Sequence, residues 1–343
     1  MKILIFGITG QDGSYLAEEL LKLNHDVYGV IRKSSSFNTK RIDKIFNKLK
    51  LFYGDVTDSL SIDNIIHKVK PDRIYNLSAQ SHVAVSFEIP DYTTQVDAIG
   101  TLRILEAMRK HVPNCRFYQA STSELYGDVL EIPQKETTPF NPQSPYAIAK
   151  QYSYWIVKNY RQSYNLFASN GILFNHESER RLETFVTRKI TKTLTNILFD
   201  DNITLELGNI YSKRDWGYAP DYVKGMIKIL EYEKADDFVL STNETHTIKE
   251  FINETINVIN NNITYTMSFD VEWRGTGLNE TLYCKNRKRN IIKINKKYFR
   301  PADVNLLLGD YSKAEKLLNW KPETTFNKLV EKMVLHDLKN KYK

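Results

Sequence analysis

The chain has 343 residues, 41% of them hydrophobic, which is enough for one large domain or two interlocked domains with a sizeable core. Its formal net charge of +7 could indicate nucleic-acid binding, but 41 acidic residues are interspersed with the cations, so we expect an anionic small-molecule partner and no nucleic acid. The sequence shows no secretory-type leader, no run of about 18 apolar residues and no cysteine cluster. It therefore predicts a soluble, cytoplasmic protein with no membrane contact, disulfide framework or metal site.

The first half of the chain alternates strands and helices. Strands are predicted at Ile3–Phe6, Val27–Ile31, Leu51–Tyr53, Arg73–Leu77, Arg116–Ala120 and Ala168–Leu173. Helices are predicted at Ser14–Leu23, 40–48, 59–68, 97–110 and Pro145–Tyr164. Such alternation predicts an α/β fold, a Rossmann-type doubly wound sheet of about six parallel strands with its site at their carboxyl ends.

After residue 174 the pattern becomes looser. Helices are predicted at 184–199, 219–233, 247–260, 312–319 and 325–338, with short strands between them. We expect a smaller C-terminal α/β cap that closes over the cleft and binds the substrate. The predicted division gives a nucleotide-binding domain of residues 1–174 plus about 209–243, and a cap of about 175–208 plus 244–343.

The turn after the first strand, Gly7 to Gly13 (GITGQDG), carries three glycines at the spacing GxxGxxG. Glycine permits a tight turn, close approach of a diphosphate to backbone N–H groups, and close packing of the following helix. A simple tight turn is the alternative. Because strand, loop and helix occur in the required order, we expect a dinucleotide-binding loop.

The ends of the next two strands indicate which dinucleotide binds. Arg32 and Lys33 stand where an NAD-preferring protein would usually carry an acid for the ribose hydroxyls, so they favour a 2′-phosphate and hence NADP. Solvated surface cations are the alternative. Asp55 follows the third strand, where a carboxylate can accept a hydrogen bond from the adenine amino group, while Asp58 could instead form an Asx turn or helix cap.

Two short segments carry groups suited to redox and acid–base chemistry, Thr122 to Glu124 and Tyr146 with Lys150. The latter two lie four residues apart at a helix start marked by an N-cap serine and an N1 proline, so both side chains face the sheet's carboxyl edge. There the lysine ammonium can favour the phenolate, and Thr122 can bind the substrate oxygen that Tyr146 deprotonates. The alternatives are surface packing for the Tyr–Lys pair and a capping carboxylate for Glu124.

Longer strings resemble the GDP-mannose 4,6-dehydratases of the extended short-chain dehydrogenase/reductase family. They are GITGQDGSYLAE, SAQSHVAVSFE, DAIGTLRILEA, FYQASTSELYG, PQSPYAIAKQYSYWI, NGILFNHES, ETFVTRKIT, LGNIYSKRDWGYAPDY and YFRPADVNLLLGD. KRDWG and YFRPADV separate this group from the epimerases and the dTDP-glucose dehydratases. The resemblance, over about residues 1–338, implies a tightly bound NADP, a GDP-linked sugar substrate, and a homodimer or homotetramer in which RKSSSFNT meets a neighbouring subunit's cofactor region.

The same resemblance implies a set of site residues. Cofactor contacts are expected at Gly7, Thr9, Gly10, Gln11, Asp12, Gly13, Arg32, Asp55, Val56, Leu77, Ala79, Gln80, Ser81, Tyr92, Tyr146, Lys150, His176 and Arg181. Substrate contacts are expected at Ser86, Thr122, Glu124, Asn175, Lys189, Arg214 and Arg300.

The expected chemistry follows from these residue types. Tyr146 would take the C4 hydroxyl proton while hydride passes to NADP⁺, and the new ketone would acidify the C5 hydrogen for removal by Glu124. Ser123 stands where a group must protonate the departing C6 hydroxyl, and hydride then returns to C6. A 4-epimerase or 4-ketoreductase, neither of which needs a base at Glu124, and a non-catalytic NADP-binding regulator are the other hypotheses.

One segment departs from the family pattern. Where the family usually reads HESPRRGETFVTRK, this chain has Glu179 for the proline and Leu182 for the glycine. Proline and glycine set backbone shape, so we expect a different loop path near the place where the cofactor and the sugar's C6 end meet. A reshaped pocket could admit GDP-manno-heptose, which has one more carbon.

Overall fold

A seven-stranded parallel sheet forms the centre of the larger part of the molecule. The structure is a computed structural model and describes residues 1–263, 268–299, 304 and 306–341. With labels in chain order, the strands are β1 (Lys2–Phe6), β2 (Asp26–Ile31), β3 (Lys50–Tyr53), β4 (Arg73–Asn76), β5 (Arg116–Thr122), β6 (Phe167–Leu173) and β11 (Asp237–Leu240). The sheet order is β11-β6-β5-β4-β1-β2-β3. The predicted Rossmann-type fold is confirmed, but the expectation of about six strands is one short, because β11 lies after residue 174, where the strand–helix pattern is looser.

Helices cover both faces of this sheet. They are α1 (Gln11–Lys22), α2 (Ser59–Val69), α3 (Val83–Ser86), α4 (Pro90–Thr94), α5 (Gly100–His111), α6 (Pro145–Ser163) and α8 (Ala219–Glu231). Short 3₁₀ helices lie at Asp43–Lys48 and Ser123–Leu125, and a π-helical turn at Gln95–Ile99 joins α4 to α5. The helix predicted at 97–110 therefore begins inside the π turn, a feature frequent at functional sites.

The register of the sheet brings the ends of β1, β4 and β5 side by side. β4 pairs with β1 through Phe6 and Asn76, and with β5 through Asn76 and Gln119. Because all three strands are parallel, the segments that leave their carboxyl ends emerge at one edge of the sheet.

The second part of the molecule has its own core. Its elements are β7 (Asn175–Glu177), α7 (Val186–Ile197), β8 (Leu205–Leu207), β9 (Lys213–Arg214), β10 (Trp216–Tyr218), β12 (His246–Thr247), α9 (Ile248–Asn262), β13 (Val271–Arg274), β14 (Thr281–Cys284), β15 (Arg289–Ile294) and α11 (Phe326–Lys341), with 3₁₀ turns at Gly277–Asn279 and Lys296–Tyr298. The helix between β15 and α11 in sequence, α10 (Ser312–Leu318), is described below. β13, β14, β15 and β8 form a four-stranded sheet in that order. Residues of α7, α9 and α11 pack against it, with Phe251, Ile292 and Leu329 wholly buried.

Helix α10 belongs by its packing to the first core. Ala314, Leu318 and Trp320 contact residues of α8 and β11, and the Trp320 indole N–H donates to the Asp221 carbonyl at 2.8 Å. The predicted domain division places these three residues in the cap, whereas their hydrophobic contacts are with the Rossmann-type core. In the part of the chain that the structure describes, no helix has the length and apolar content needed to cross a membrane.

Candidate active site

A cleft of about 960 Å³ lies between the carboxyl edge of the seven-stranded sheet and the second part of the molecule. It brings together many of the residues singled out in the sequence. Those that line it are Asp12, Leu77, Ala79, Ser81, Thr122, Ser123, Glu124, Tyr146, Lys150, Asn175, His176, Arg181, Lys189 and Arg214. The cleft thus lies at the sheet edge that the strand pattern predicts.

The glycine turn packs too closely for side chains. Gly7 has φ of +82°, and a Cβ there would lie 2.8 Å from the Leu77 carbonyl. A Cβ on Gly13 would lie 2.3 Å from the Gly7 carbonyl oxygen. Helix α1 begins at Gln11, three residues before the predicted start, so its first-turn N–H groups directly follow the turn. A close turn that opens a helix N-terminus fits the diphosphate of a dinucleotide.

The segment after β5 is fixed by a local cap. The Thr122 hydroxyl oxygen accepts a hydrogen bond from the Glu124 backbone N–H at 3.2 Å and starts the short 3₁₀ helix. Ser123 is buried and Glu124 is half-buried, and both line the cleft. A hydroxyl and a carboxylate are therefore held next to each other at the end of a rigid strand.

Helix α6 brings Tyr146 and Lys150 to the same cleft. Its predicted start is confirmed, since the Ser144 hydroxyl accepts from the Ala147 N–H at 3.1 Å and Pro145 is the first helical residue. Both side chains are buried, and the Lys150 Nζ lies 5.9 Å from the centre of the Tyr146 ring. The same Nζ donates to the Ala120 carbonyl at 3.1 Å, which fixes the ammonium beneath the end of β5.

The ionisation of this pair depends on burial. Burial raises the pKa of Tyr146 well above its usual value, the Asp97 carboxylate adds to the rise, and a hydrogen bond with Thr122 opposes it. Burial lowers the pKa of Lys150, which the charge of Asp97 partly offsets. Burial therefore favours the neutral phenol, and a nearby positive charge favours the phenolate.

Asp97 is a residue that the sequence analysis missed. It lies in the π turn, and its Oδ1 accepts from the Gln80 backbone N–H at 2.7 Å. Burial raises the pKa of Asp97 to about 7, although Lys150 and the Gln80 N–H lower it. It lies within the string DAIGTLRILEA, but no local pattern places a carboxylate beside a lysine 53 residues later.

His176 forms a charged pair across the cleft floor. Its Nε2 lies 2.7 Å from Asp12 Oδ2, and its Nδ1 lies 2.7 Å from the Phe174 carbonyl oxygen. Burial alone would lower the pKa of His176, but the Asp12 carboxylate outweighs burial and raises it. A ring that faces two oxygens donates from both nitrogens, so the geometry favours the imidazolium.

A second cavity, of about 650 Å³, lies at the carboxyl end of β2. Arg32, Lys33 and the hydroxyls of residues 34–36 line it, together with Asp43. Arg32 also donates to the Tyr92 hydroxyl. Asp58 caps α2 by accepting from the Leu60 N–H at 3.1 Å, so the capping alternative for this residue is confirmed.

The second part of the molecule supplies cations to the cleft. Lys189 lies in the first turn of α7, where its Nζ donates to the Glu206 carbonyl at 2.6 Å and lies 3.8 Å from the centre of the Tyr298 ring. Arg214 lies in β9, which pairs with β12, and Asn175 lies in β7, which pairs with β10. Tyr298 also lines the cleft and was missed, although it begins the quoted string YFRPADV. Arg300 lies outside the described residues.

Several predicted contact residues do not line the main cleft. Ser86 is wholly buried and its hydroxyl donates to the Val83 carbonyl at 2.6 Å, so its expected substrate contact is not supported. The predicted cofactor residues away from the main cleft are Gly7, Thr9, Gly10, Gln11, Gly13, Arg32, Asp55, Val56, Gln80 and Tyr92. One of them forms a local hydrogen bond: the Gln80 side-chain amide donates to the His82 carbonyl at 3.2 Å.

The loop that departs from the family pattern lies beside the cleft with its variant side chains outside it. Neither Glu179 nor Leu182 lines the cleft, and Leu182 is 52% exposed. The Arg181 N–H donates to the Ser178 carbonyl at 3.1 Å, so Glu179 occupies the second position of a turn, where proline is also favoured. Leu182 does not have a positive φ. The expectation that the two substitutions reroute this loop is therefore not supported.

Comparison with known proteins identifies the family. The family model described as GDP-mannose 4,6 dehydratase matches residues 4–333. A GDP-mannose 4,6 dehydratase of Drosophila melanogaster is 52% identical over 345 residues, which cover 98% of this chain and 85% of that protein.

Solved structures share the fold at lower identity. A UDP-glucose 4-epimerase from Thermotoga maritima with UDP-glucose has a TM-score of 0.82 at 21% identity, covering 99% of both chains. A dTDP-glucose 4,6-dehydratase from Bacillus anthracis in complex with NAD has a TM-score of 0.80 at 20% identity, covering 100% of this chain and 98% of that one. These likenesses support the Rossmann-type architecture, and the match over nearly the whole sequence shows that the chain belongs to the GDP-mannose 4,6-dehydratase family.

Proposed function

We propose that the chain catalyses the 4,6-dehydration of GDP-mannose with a recycled NADP. The observation that carries the proposal is the convergence of Thr122, Glu124, Tyr146 and Lys150 on one cleft, in a chain of this family. A 4-epimerase or 4-ketoreductase has no use for a base at Glu124, and a regulator needs none of the four groups. Dehydration uses all of them.

The first half of the reaction creates a ketone at C4. A bound nicotinamide supplies a hydride acceptor that takes hydrogen from C4 and later gives it to C6. Tyr146, as phenolate, takes the proton of the C4 hydroxyl, and Thr122 holds the same oxygen by a hydrogen bond. The Lys150 ammonium, whose Nζ lies 5.9 Å from the centre of the Tyr146 ring, favours the phenolate by its positive charge.

The second half removes water and restores the oxidation level. The C4 ketone acidifies the C5 hydrogen, and Glu124 takes it as a proton. Ser123 lies next to Glu124, where its hydroxyl can donate to the departing C6 oxygen. When C6 has received hydride, Glu124 would return its proton to C5, which completes the 4-keto-6-deoxy sugar. Tyr146 would release the proton taken from the C4 hydroxyl, and Ser123 would regain the one given to the departing water, so both groups return to their starting state. The sugar then contains one water less, with no net redox change.

The choice of NADP rests on the end of β2. Arg32, Lys33 and three successive serine hydroxyls surround the second cavity, and cations with hydroxyl donors suit a phosphate. The glycine turn and the N-terminus of α1 suit the diphosphate, as described above. In the second part of the molecule, Lys189 and Arg214 line the main cleft, and their positive charges would suit the phosphates of GDP. The Tyr298 ring beside Lys189 would offer a face for stacking.

A homodimer or homotetramer in the cytoplasm is part of the same proposal. Phe37, in the segment RKSSSFNT, is 80% exposed, which favours a protein contact at this segment. Light scattering on the purified protein tests the oligomer, since a monomeric mass would contradict it.

Mass spectrometry tests the function directly. Purified protein, incubated with GDP-mannose and with GDP-manno-heptose in separate reactions, is expected to convert GDP-mannose to a product lighter by one water. An isomer of unchanged mass would indicate epimerisation, and a product that differs by two hydrogens would indicate simple oxidation or reduction. Either result would contradict the proposal.

A further inference from the structure

The segment from His176 to Arg180 makes an unusual set of contacts with the first two turns of α1. This segment, here called the clasp, begins at the second residue of β7 and continues beyond the end of that strand. It is more than 150 residues away from α1 in sequence. The Gln11 amide donates to the His176 carbonyl at 3.0 Å, and the Ser178 hydroxyl donates to the Gln11 side-chain oxygen at 2.8 Å. With the His176–Asp12 pair, the clasp contacts both of the first two residues of α1, Gln11 and Asp12.

Arg180 extends these contacts along the same face of α1. Its guanidinium donates to the Ser14 hydroxyl at 3.0 Å and to both oxygens of Glu18, at 2.8 and 3.0 Å. It also lies 4.0 Å from the centre of the Tyr15 ring. Residues 11, 14, 15 and 18 form one stripe of a helix, so the clasp follows α1 for two turns.

Arg41 connects the clasp to the glycine turn from the other side. Its Nε donates to the Arg180 carbonyl at 2.7 Å, and its NH1 lies 3.4 Å from the Thr9 carbonyl oxygen. The side chains of Arg180 and Glu18 are each about one-fifth exposed, so solvent weakens this ion pair less than a fully exposed pair.

The proposed reaction requires that the cofactor stay bound through both redox steps. The cofactor molecule that is reduced when the sugar's C4 is oxidised must also reduce C6, so it has to stay bound between the two steps. Asp12 of α1 and His176 and Glu177 of the clasp line the main cleft together, so the contacts between the clasp and α1 border the place where a dinucleotide would be held. We propose that Arg180 is a positioning residue that locks the clasp to α1 and so slows cofactor release. This inference rests on the proposed function only for the need to retain the cofactor.

The first experiment measures cofactor release without any sugar. Purified holoprotein carrying labelled NADP⁺ is mixed with excess unlabelled NADP⁺, and loss of label gives the dissociation rate. Arg180→Ala is expected to raise that rate about tenfold, which corresponds to about 1.4 kcal/mol, and Glu18→Gln about threefold. Glu19→Gln is the matched control, because Glu19 lies on the same helix but pairs with the exposed Lys22 at 2.6 Å.

A second measurement follows the fate of the sugar. If the reduced cofactor leaves early, the released nucleotide sugar has lost one water and two further hydrogens, with a C4 ketone and a C5–C6 double bond. Reduced cofactor then appears in solution in equal amount, so atoms and electrons balance. Mass spectrometry of Arg180→Ala with GDP-mannose is expected to show this product, whereas wild type should show only the loss of water.

The outcomes separate the two proposals. Unchanged dissociation rates in Arg180→Ala and Glu18→Gln would overturn the role of the clasp, even if thermal unfolding showed a loss of stability. An equal increase in Glu19→Gln would overturn it too, since the effect would then be general to the helix. If the clasp variants release the cofactor faster but the wild-type protein does not dehydrate GDP-mannose, the role of the clasp would be supported and the proposed function rejected.

Discussion

Tyr146 and Glu124 lie in the same cleft but are assigned to different steps, so their loss should have different effects. Tyr146→Phe removes the group that takes the C4 hydroxyl proton, and the variant should fail to reduce bound NADP⁺ when GDP-mannose is added. Glu124→Gln keeps that group, so it should reduce the cofactor once and then stop before elimination. Absorbance of the reduced nicotinamide in a single-turnover experiment distinguishes the two.

A matched control is available on the same helix. Tyr152 lies in α6 and is exposed, so Tyr152→Phe should leave both the single-turnover signal and steady-state turnover near wild type. Near-normal turnover in both Tyr146→Phe and Glu124→Gln would show that the catalytic assignment is wrong.

The loop after β2 determines the cofactor preference in this proposal. Arg32 and Lys33 line the second cavity, and one charge-assisted phosphate contact contributes about 1.5–3 kcal/mol. Binding of NADP⁺ should therefore exceed that of NAD⁺ by roughly tenfold or more, and Arg32→Ala should remove most of the difference. Calorimetric titration of the cofactor-free protein measures both affinities.

The control for this prediction is Lys48→Ala. Lys48 is an exposed cation in the neighbouring 3₁₀ helix and does not line the second cavity, so its loss should not change the preference. Equal affinity of wild type for the two cofactors would remove Arg32 and Lys33 from the specificity argument.

Elements with strong local signals were predictable from sequence. The glycine turn and the start of α6 are set by residues a few positions apart, so their spacing alone indicates the conformation. Strand β11 lacks such a signal, because it lies in the loosely patterned part of the chain and nothing in its own residues indicates that it pairs with β6. Helix α10 was predicted as a helix, but which core it joins depends on contacts with α8.

The contacts of Asp97 and Arg180 could not be predicted either, because their partners are distant in sequence. Asp97 acts on a lysine in another helix, and Arg180 contacts a helix 162 residues away in sequence. Neither contact leaves a periodic pattern in the sequence, because periodicity reports which face of one element is buried and not which element covers it.

At the scale of the whole molecule, the cleft between the two cores decides which sugar fits. Elimination needs only a C4 hydroxyl, a C5 hydrogen and a C6 leaving group, so the catalytic residues do not distinguish a hexose from a heptose. Exclusion of one extra carbon by an apolar pocket is worth about 1–3 kcal/mol, which gives a preference and not an absolute block. Discrimination must therefore come from the shape of the assembled cleft.

The loop with Glu179 and Leu182 is the segment that the sequence singled out for this discrimination, and the structure changes the expectation. Arg181, between the two, is anchored with its Nε 3.1 Å from Glu177 Oε2, and the Phe185 N–H donates to the Leu182 carbonyl at 3.1 Å. Because these anchors do not involve either variant side chain, the double substitution Glu179→Pro with Leu182→Gly should keep the cleft wall in place. We expect the ratio of turnover on GDP-mannose and GDP-manno-heptose to change less than about twofold, well under the effect of one carbon in a pocket. A larger change would show that the backbone of this loop, and not the side chains that line the cleft, sets the sugar preference.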